Sequence, residues 1–199
     1  MAWALEIAAD DSHGYDQGSR EGPDYDCSSF LCWAYYKAGL NTRPGGYSPS
    51  TSEMYDVFTA AGFHDVTSQV DLSSGEGLRK GDVLLRPGHH TEMMCDATHT
   101  VAAHENEDGG ITGGQTGDQT GDEICVQTYR NKRYVYCLRY PSEPSSPPDT
   151  TKPGSRIEIM DGTSRIWAYC FDGAPGLGMT RNGEESYWDF EAFKRLCGG

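Results

Sequence analysis

The 199-residue sequence predicts an α+β fold in which N-terminal helices pack on a central antiparallel sheet of about five strands. Two early segments carry apolar residues at helical spacing, and a series of short apolar runs of strand length follows them. Helices that precede a strand meander, rather than alternate with strands, favour α+β over a parallel α/β layout. The 25 glycines and 10 prolines fit a loop-rich chain better than a helical bundle.

The first helix is predicted from Cys27, with Phe30, Leu31, Ala34 and Ala38 at helical spacing and Gly39 at the position of a C-terminal cap. A second is predicted over Thr51 to Ala61, opened by Ser50 or Thr51 and closed by Gly62, with Met54, Val57, Phe58 and Ala61 on one side. Strands follow at Asp82–Arg86, Thr91–Cys95, Thr100–His104, Glu123–Thr128 and Tyr134–Tyr140, separated by Gly, Pro, Asn and Asp turns. Residues 1–140 therefore form the expected main domain. Residues 141–154, with prolines at 141, 144, 147, 148 and 153, read as a linker. In residues 155–199, Arg156–Asp161 and Arg165–Phe171 read as strands around an Asp-Gly-Thr turn, and Ser186–Leu196 as a short helix. This small segment is too short for a confident core of its own, and wall binding is one role open to it.

A formal net charge of −14 repels phosphate backbones, and no Lys/Arg cluster compensates locally, so nucleic acid is not an expected partner. No stretch is long and apolar enough to span a membrane, and residues 1–20 lack the basic start and apolar run of a secretory signal. The seven cysteines are odd in number and form no Cys-x-x-Cys pair, as expected of a reduced protein whose cysteines mostly pack as small hydrophobes.

Cys27 stands apart because it opens a helix. There the dipole and unpaired backbone N–H groups favour a thiolate, and the amides around Asp26, Cys27 and Ser28 are placed to hold an oxyanion. A thiol nucleophile needs a base, usually a histidine oriented by a third group. His89 and His90 lie at the start of a strand, where alternation lets only one face the sulfur. Glu92 shares the face of His90, either lining a groove or solvated. His104 and Asn106 share a face at the end of the next strand and are candidates for the third position. A hydrolytic metal site drawn from His89, His90, His104, Glu105 and Asp108 is the competing reading, but neither a His-Glu-x-x-His helix nor a calcium-loop spacing is present.

Taken in order, Gly14-Tyr15-Asp16-Gln17, Asp24-Tyr25-Asp26-Cys27-Ser28-Ser29, Gly81-Asp82-Val83-Leu84-Leu85, His90-Thr91-Glu92-Met93-Met94 and the glycine-rich run Thr112 to Gly121 resemble the NlpC-type papain-like cell-wall peptidases and their phage amidase relatives, a group overlapping with the CHAP amidases. The resemblance covers roughly residues 2–140. It implies a papain-like fold, Cys27 as nucleophile, His90 as base and Tyr15 near the oxyanion site. Relatives carry the third polar residue about a dozen positions after the base, where this chain has Ala102; a two-residue extension of the hairpin keeps the face and favours His104 over Asn106. Asp118 and Gln119 would either bind polar substrate or serve only their own turn.

The function these features imply is thiol hydrolysis of an amide or peptide bond in the peptidoglycan stem, as in a phage endolysin. The enzyme would need no cofactor or metal and would be monomeric. It would be made in the host cytoplasm and reach the wall through a holin lesion. An inactive wall-binding module and a papain-like acyltransferase or toxin are the alternatives.

Overall fold

The computed structural model describes residues 1–141 throughout and, beyond them, four strands at residues 156–161, 164–171, 174–181 and 184–189. The chain divides into two compact units, Met1–Pro141 and Ser142–Gly199.

In the first unit, helices α1 (Ala2–Ile7), α2 (Cys27–Lys37) and α3 (Met54–Ala60) accompany strands β1 (His64–Asp65), β2 (Asp82–Arg86), β3 (His90–Met94), β4 (His99–Ala103), β5 (Ile124–Thr128) and β6 (Tyr136–Arg139). The strands form one sheet in the order β1-β6-β2-β3-β4-β5, and every neighbouring pair is antiparallel. The architecture is thus α+β with an antiparallel sheet and few helices. β1 is a two-residue strand beyond the five predicted, paired to β6.

Helix α2 starts where the sequence predicts because Asp26 and Ser29 form a capping box, each side chain accepting the other's backbone N–H. Gly39 just beyond it takes φ 90°, a left-handed conformation that ends helices at little cost to glycine. Helix α3 begins later than the predicted Thr51. The Ser50 carbonyl accepts both the Glu53 and Met54 amides, and the Glu53 carboxylate turns back to the Ser50 amide and hydroxyl, so residues 51–53 form a turn. Helix α1 was not foreseen; it docks through Ala4 and Ile7, with Trp3 set edge-on to Tyr25 at 5.5 Å.

Phe30, Leu31, Met54 and Phe58 from the helices join Val83, Leu85, Met93, Val101 and Leu138 of the sheet in one buried cluster. Leu84, Met94 and Cys137, at alternate positions, pack on the other face with Val66, Leu78 and Tyr134. Burial on both faces explains why β2, β3 and β4 read as apolar runs rather than alternating ones.

The second unit contains strands β7 (Arg156–Asp161), β8 (Ser164–Phe171), β9 (Ala174–Arg181) and β10 (Glu184–Asp189), an antiparallel meander in the order β10-β9-β8-β7. The first two strands lie where the sequence predicts. The helix predicted from Ser186 is corrected: Ser186 to Asp189 belong to β10, in register with β9 from Glu184↔Arg181 to Asp189↔Gly176. Pairing with β9 along this register overrides the local helical spacing. The predicted linker from residue 142 onward and residues 190–196 of that helix lie outside the described residues. No helix among the described residues is long and apolar enough to cross a membrane.

Candidate active site

Cys27 is the first residue of α2 and is only 7% exposed. Burial, with the Asp26 charge second, pushes its thiol up to about 12, while backbone N–H groups of Thr91 and Ser28 and the Arg20 cation pull the other way. The thiol is therefore protonated at neutral pH. Asp26 accepts the Ser29 amide at 2.7 Å and the Ser28 hydroxyl at 2.9 Å, and it pairs with Arg20 Nε at 2.7 Å. Arg20 also donates to Ser28 Oγ and to the Ser48 and Pro49 carbonyls. The Asp26 and Ser28 side chains thus build the start of α2, and what Ser28 offers the sulfur is its backbone amide.

Tyr15 is 4% exposed, and burial followed by the nearness of Cys27 and Asp26 raises its phenol above the ordinary range. Its position is set by the glycine-rich loop. Glu123 accepts the Tyr15 amide at 2.9 Å and the Gln119 amide at 3.2 Å, while Asp24 accepts the amides of Gly14 and Gly117. A side chain at Gly14 would meet the Gly117 carbonyl at 2.1 Å, so the two segments pass backbone to backbone. Asp118 accepts the amides of Thr120, Gly121, Glu123 and Ile124 and donates its own to the Asp11 carbonyl. Gln119 donates to the Thr116 carbonyl. Both side chains stabilise the loop, and the loop holds the segment carrying Tyr15.

The charged centre lies on β3 and β4. His90 opens β3, and its Nε2 is 3.1 Å from Oε1 of Glu92, which is 1% exposed. Lys132 Nζ donates to the same oxygen, and His104 Nδ1 lies 3.8 Å from it. Burial alone would raise the Glu92 carboxyl, but hydrogen bonds from His90, Lys132 and Thr100 outweigh it and hold the group well below the usual carboxylate range. His104 is lowered to about 4 by burial and then by the Lys132 cation, so its ring is neutral at pH 7. The His90 and His104 rings lie 5.6 Å apart between centroids, tilted by 35°. The β3–β4 pairing of Met93 with Val101, continued toward the strand ends, sets Glu92 opposite Ala102 and His90 opposite His104.

Thus Cys27 and Tyr15 share one neighbourhood and His90, Glu92 and His104 form another, and among the described residues no hydrogen bond links Cys27 to His90. His89 lies in the turn before β3 and is exposed. Asn106 lies in a loop beyond β4, where its side chain accepts the Asp108 and Gly110 amides and donates to the Thr112 carbonyl. A cavity of about 420 Å³ is lined by Arg86, His90, His104, Glu105, Gln127 and Lys132. Lys132 and Tyr134 were missed by sequence reasoning. A lysine between Asn131 and Arg133 reads as a solvated turn, and only the fold brings it 40 residues back to Glu92. Tyr134 is buried, and burial followed by the Glu92 charge raises its phenol.

The family model described as an endolysin-like domain matches residues 21–101 and 100–146, more than half of the chain. The chain belongs to the endolysin-like domain family. The matched span contains Cys27, His90, Glu92, His104 and Lys132, whereas Tyr15 precedes it. Membership supports a phage endolysin-like protein that degrades cell wall, and peptidoglycan fits as its substrate. No curated protein and no solved structure matches the chain.

Proposed function

We propose that this endolysin-like domain hydrolyses an amide bond of the peptidoglycan stem peptide by thiol chemistry on a papain-like framework, with Cys27 as nucleophile and His90 as base. The observation that carries the reading is Cys27 at the capped first position of α2, where the backbone N–H groups of Thr91 and Ser28 oppose the rise that burial imposes on its thiol. Glu92 engages His90 Nε2, so Nδ1 is the ring nitrogen left to exchange a proton. A carboxylate held ionised beside Nε2 favours the imidazolium that forms during attack, and Glu92 takes this orienting role in place of the polar residue expected at position 102.

Because the Cys27 thiol is protonated at rest, proton transfer to His90 accompanies attack on the bound carbonyl rather than preceding it. The sulfur adds to the carbonyl carbon, and the Ser28 amide and the Tyr15 hydroxyl stabilise the oxyanion. His90 then protonates the leaving amine, and water, activated by the same imidazole, releases the acyl group. The same reading has the protein acting as a monomer at the wall after holin-type release.

Turbidity of purified walls tests the mechanism. Wild-type protein clears the suspension, and Cys27→Ala lowers the rate by about 10³-fold or more. Undiminished clearing by that variant sinks the thiol mechanism. Mass spectrometry of the fragments then separates amidase from endopeptidase cleavage.

A further inference from the structure

The grouping of His90, Glu92 and His104 does more than orient a base. One donor atom from each lies within 4.8 Å of the others, and the separations to Glu92 Oε1 are 3.1 Å from His90 and 3.8 Å from His104. Ligands of a tetrahedral Zn²⁺ ion at about 2.1 Å stand about 3.4 Å apart, between these two values. Two imidazoles and one carboxylate suit Zn²⁺, and the cavity beside them gives a fourth position to water. A cation is already held there: the Lys132 ammonium contacts Glu92 Oε1 and lies 3.5 Å from His104 Nδ1. His104 Nε2, by contrast, is buried and finds no hydrogen-bond partner among the described residues.

We propose that His90, Glu92 and His104 form an inhibitory Zn²⁺ site whose resident cation is the Lys132 ammonium, so that lysine and metal compete for one carboxylate. Lys132 is 36% exposed, and its flexible stem can carry the ammonium out into solvent as the ion enters. Ligation at His90 Nε2 makes Nδ1 a poor base, which would stop the thiol reaction. The inhibitory part rests on His90 acting as base in the proposed mechanism; the binding part does not.

Zinc titration by calorimetry of the full chain carrying Cys27→Ala isolates the binding part, because the nucleophilic thiol is gone. One ion per chain is expected, with affinity lowered about tenfold or more by His104→Gln or Glu92→Gln and raised about tenfold by Lys132→Met. Circular dichroism confirms that each variant is folded, and Lys132→Met, at a partly exposed site, keeps the test decisive if the buried variants misfold. No 1:1 binding, or binding indifferent to His104→Gln in a folded chain, or weakened binding in Lys132→Met overturns the site. In the Cys27-containing chain, Zn²⁺ is expected to stop wall clearing and a chelator to restore it. Clearing that rises with Zn²⁺ and survives Cys27→Ala overturns both the inhibition and the thiol mechanism, whereas clearing unaffected by zinc at saturating occupancy overturns the inhibition alone.

Discussion

Glu92 Oε1 stands 3.1 Å from His90 Nε2 with the carboxylate 1% exposed, so an ionised acid lies buried against one nitrogen of the ring. Two cations or cation-forming groups, Lys132 and His90, meet at one oxygen. A buried carboxylate kept charged in this way orients the ring through its hydrogen bond.

Glu92→Gln keeps the shape and removes the charge. Wall-clearing kcat is expected to fall by about 10²–10⁴-fold with the chain still folded, as when the orienting acid of a catalytic triad is neutralised. A loss below about threefold, read with circular dichroism on the same sample, would remove Glu92 from the mechanism.

Because Ala102 lies opposite Glu92 in the continued register, the polar group can be moved across the ladder. Glu92→Ala is expected to disable clearing, and adding Ala102→Asn, which roughly conserves volume, to recover about tenfold of the lost rate. A double variant no faster than Glu92→Ala contradicts the exchange.

Stability should fall between neutral and moderately acid pH because of His104. Its unfolded value is 6.5 and its folded value about 4, so between these pH values the unfolded chain binds the proton and the folded chain does not. The loss is on the order of 3 kcal/mol across that window. The Glu92 contribution has a different window: present above the ordinary carboxylate pKa, it is lost only as pH falls through the lowered folded value. Melting temperatures of His104→Gln between pH 7 and 4 should show a flatter slope than the parent chain.

Asp26 joins a helix cap to an ion pair. Asp26→Ala removes the capping acceptor and leaves Arg20 without its carboxylate, a loss of about 2 kcal/mol or more. Asp26→Asn keeps the cap and should recover about half. Urea unfolding measures both, and equal stability of the two variants would separate Asp26 from the cap.

The sequence was most readable where one residue type had one physical use. Capping by Asp26 and the glycine at 39 located α2, and apolar runs located β2 to β6 within about two residues. Strand β9 went unread because Gly176, Gly178 and Pro175 argue locally against a strand, and without that partner Ser186–Asp189 of β10 was misread as helix. In the site, alternation correctly put Glu92 on the face of His90 but could not say whether that face was wet. Its burial depends on Lys132 and Tyr134 arriving from a segment 40 or more residues later, a long-range event without a local periodicity. Asp118 and Gln119 illustrate the converse. Their composition suggests a binding loop, yet their hydrogen bonds run inward to their own loop and neighbouring backbone.

The backbone crossing of Gly14 and Gly117 also decides where a transferable lytic module begins. The recognisable family span starts at residue 21, but Glu123 and Asp24 inside it accept the amides of Tyr15 and Gly14 outside it. A chimera spliced at residue 21 would inherit the thiol and imidazole while discarding the strap that seats the phenol, and would bare two buried acceptors. Swaps between lysins should therefore cut upstream of Asp11, so that a sequence-derived boundary does not divide a working unit.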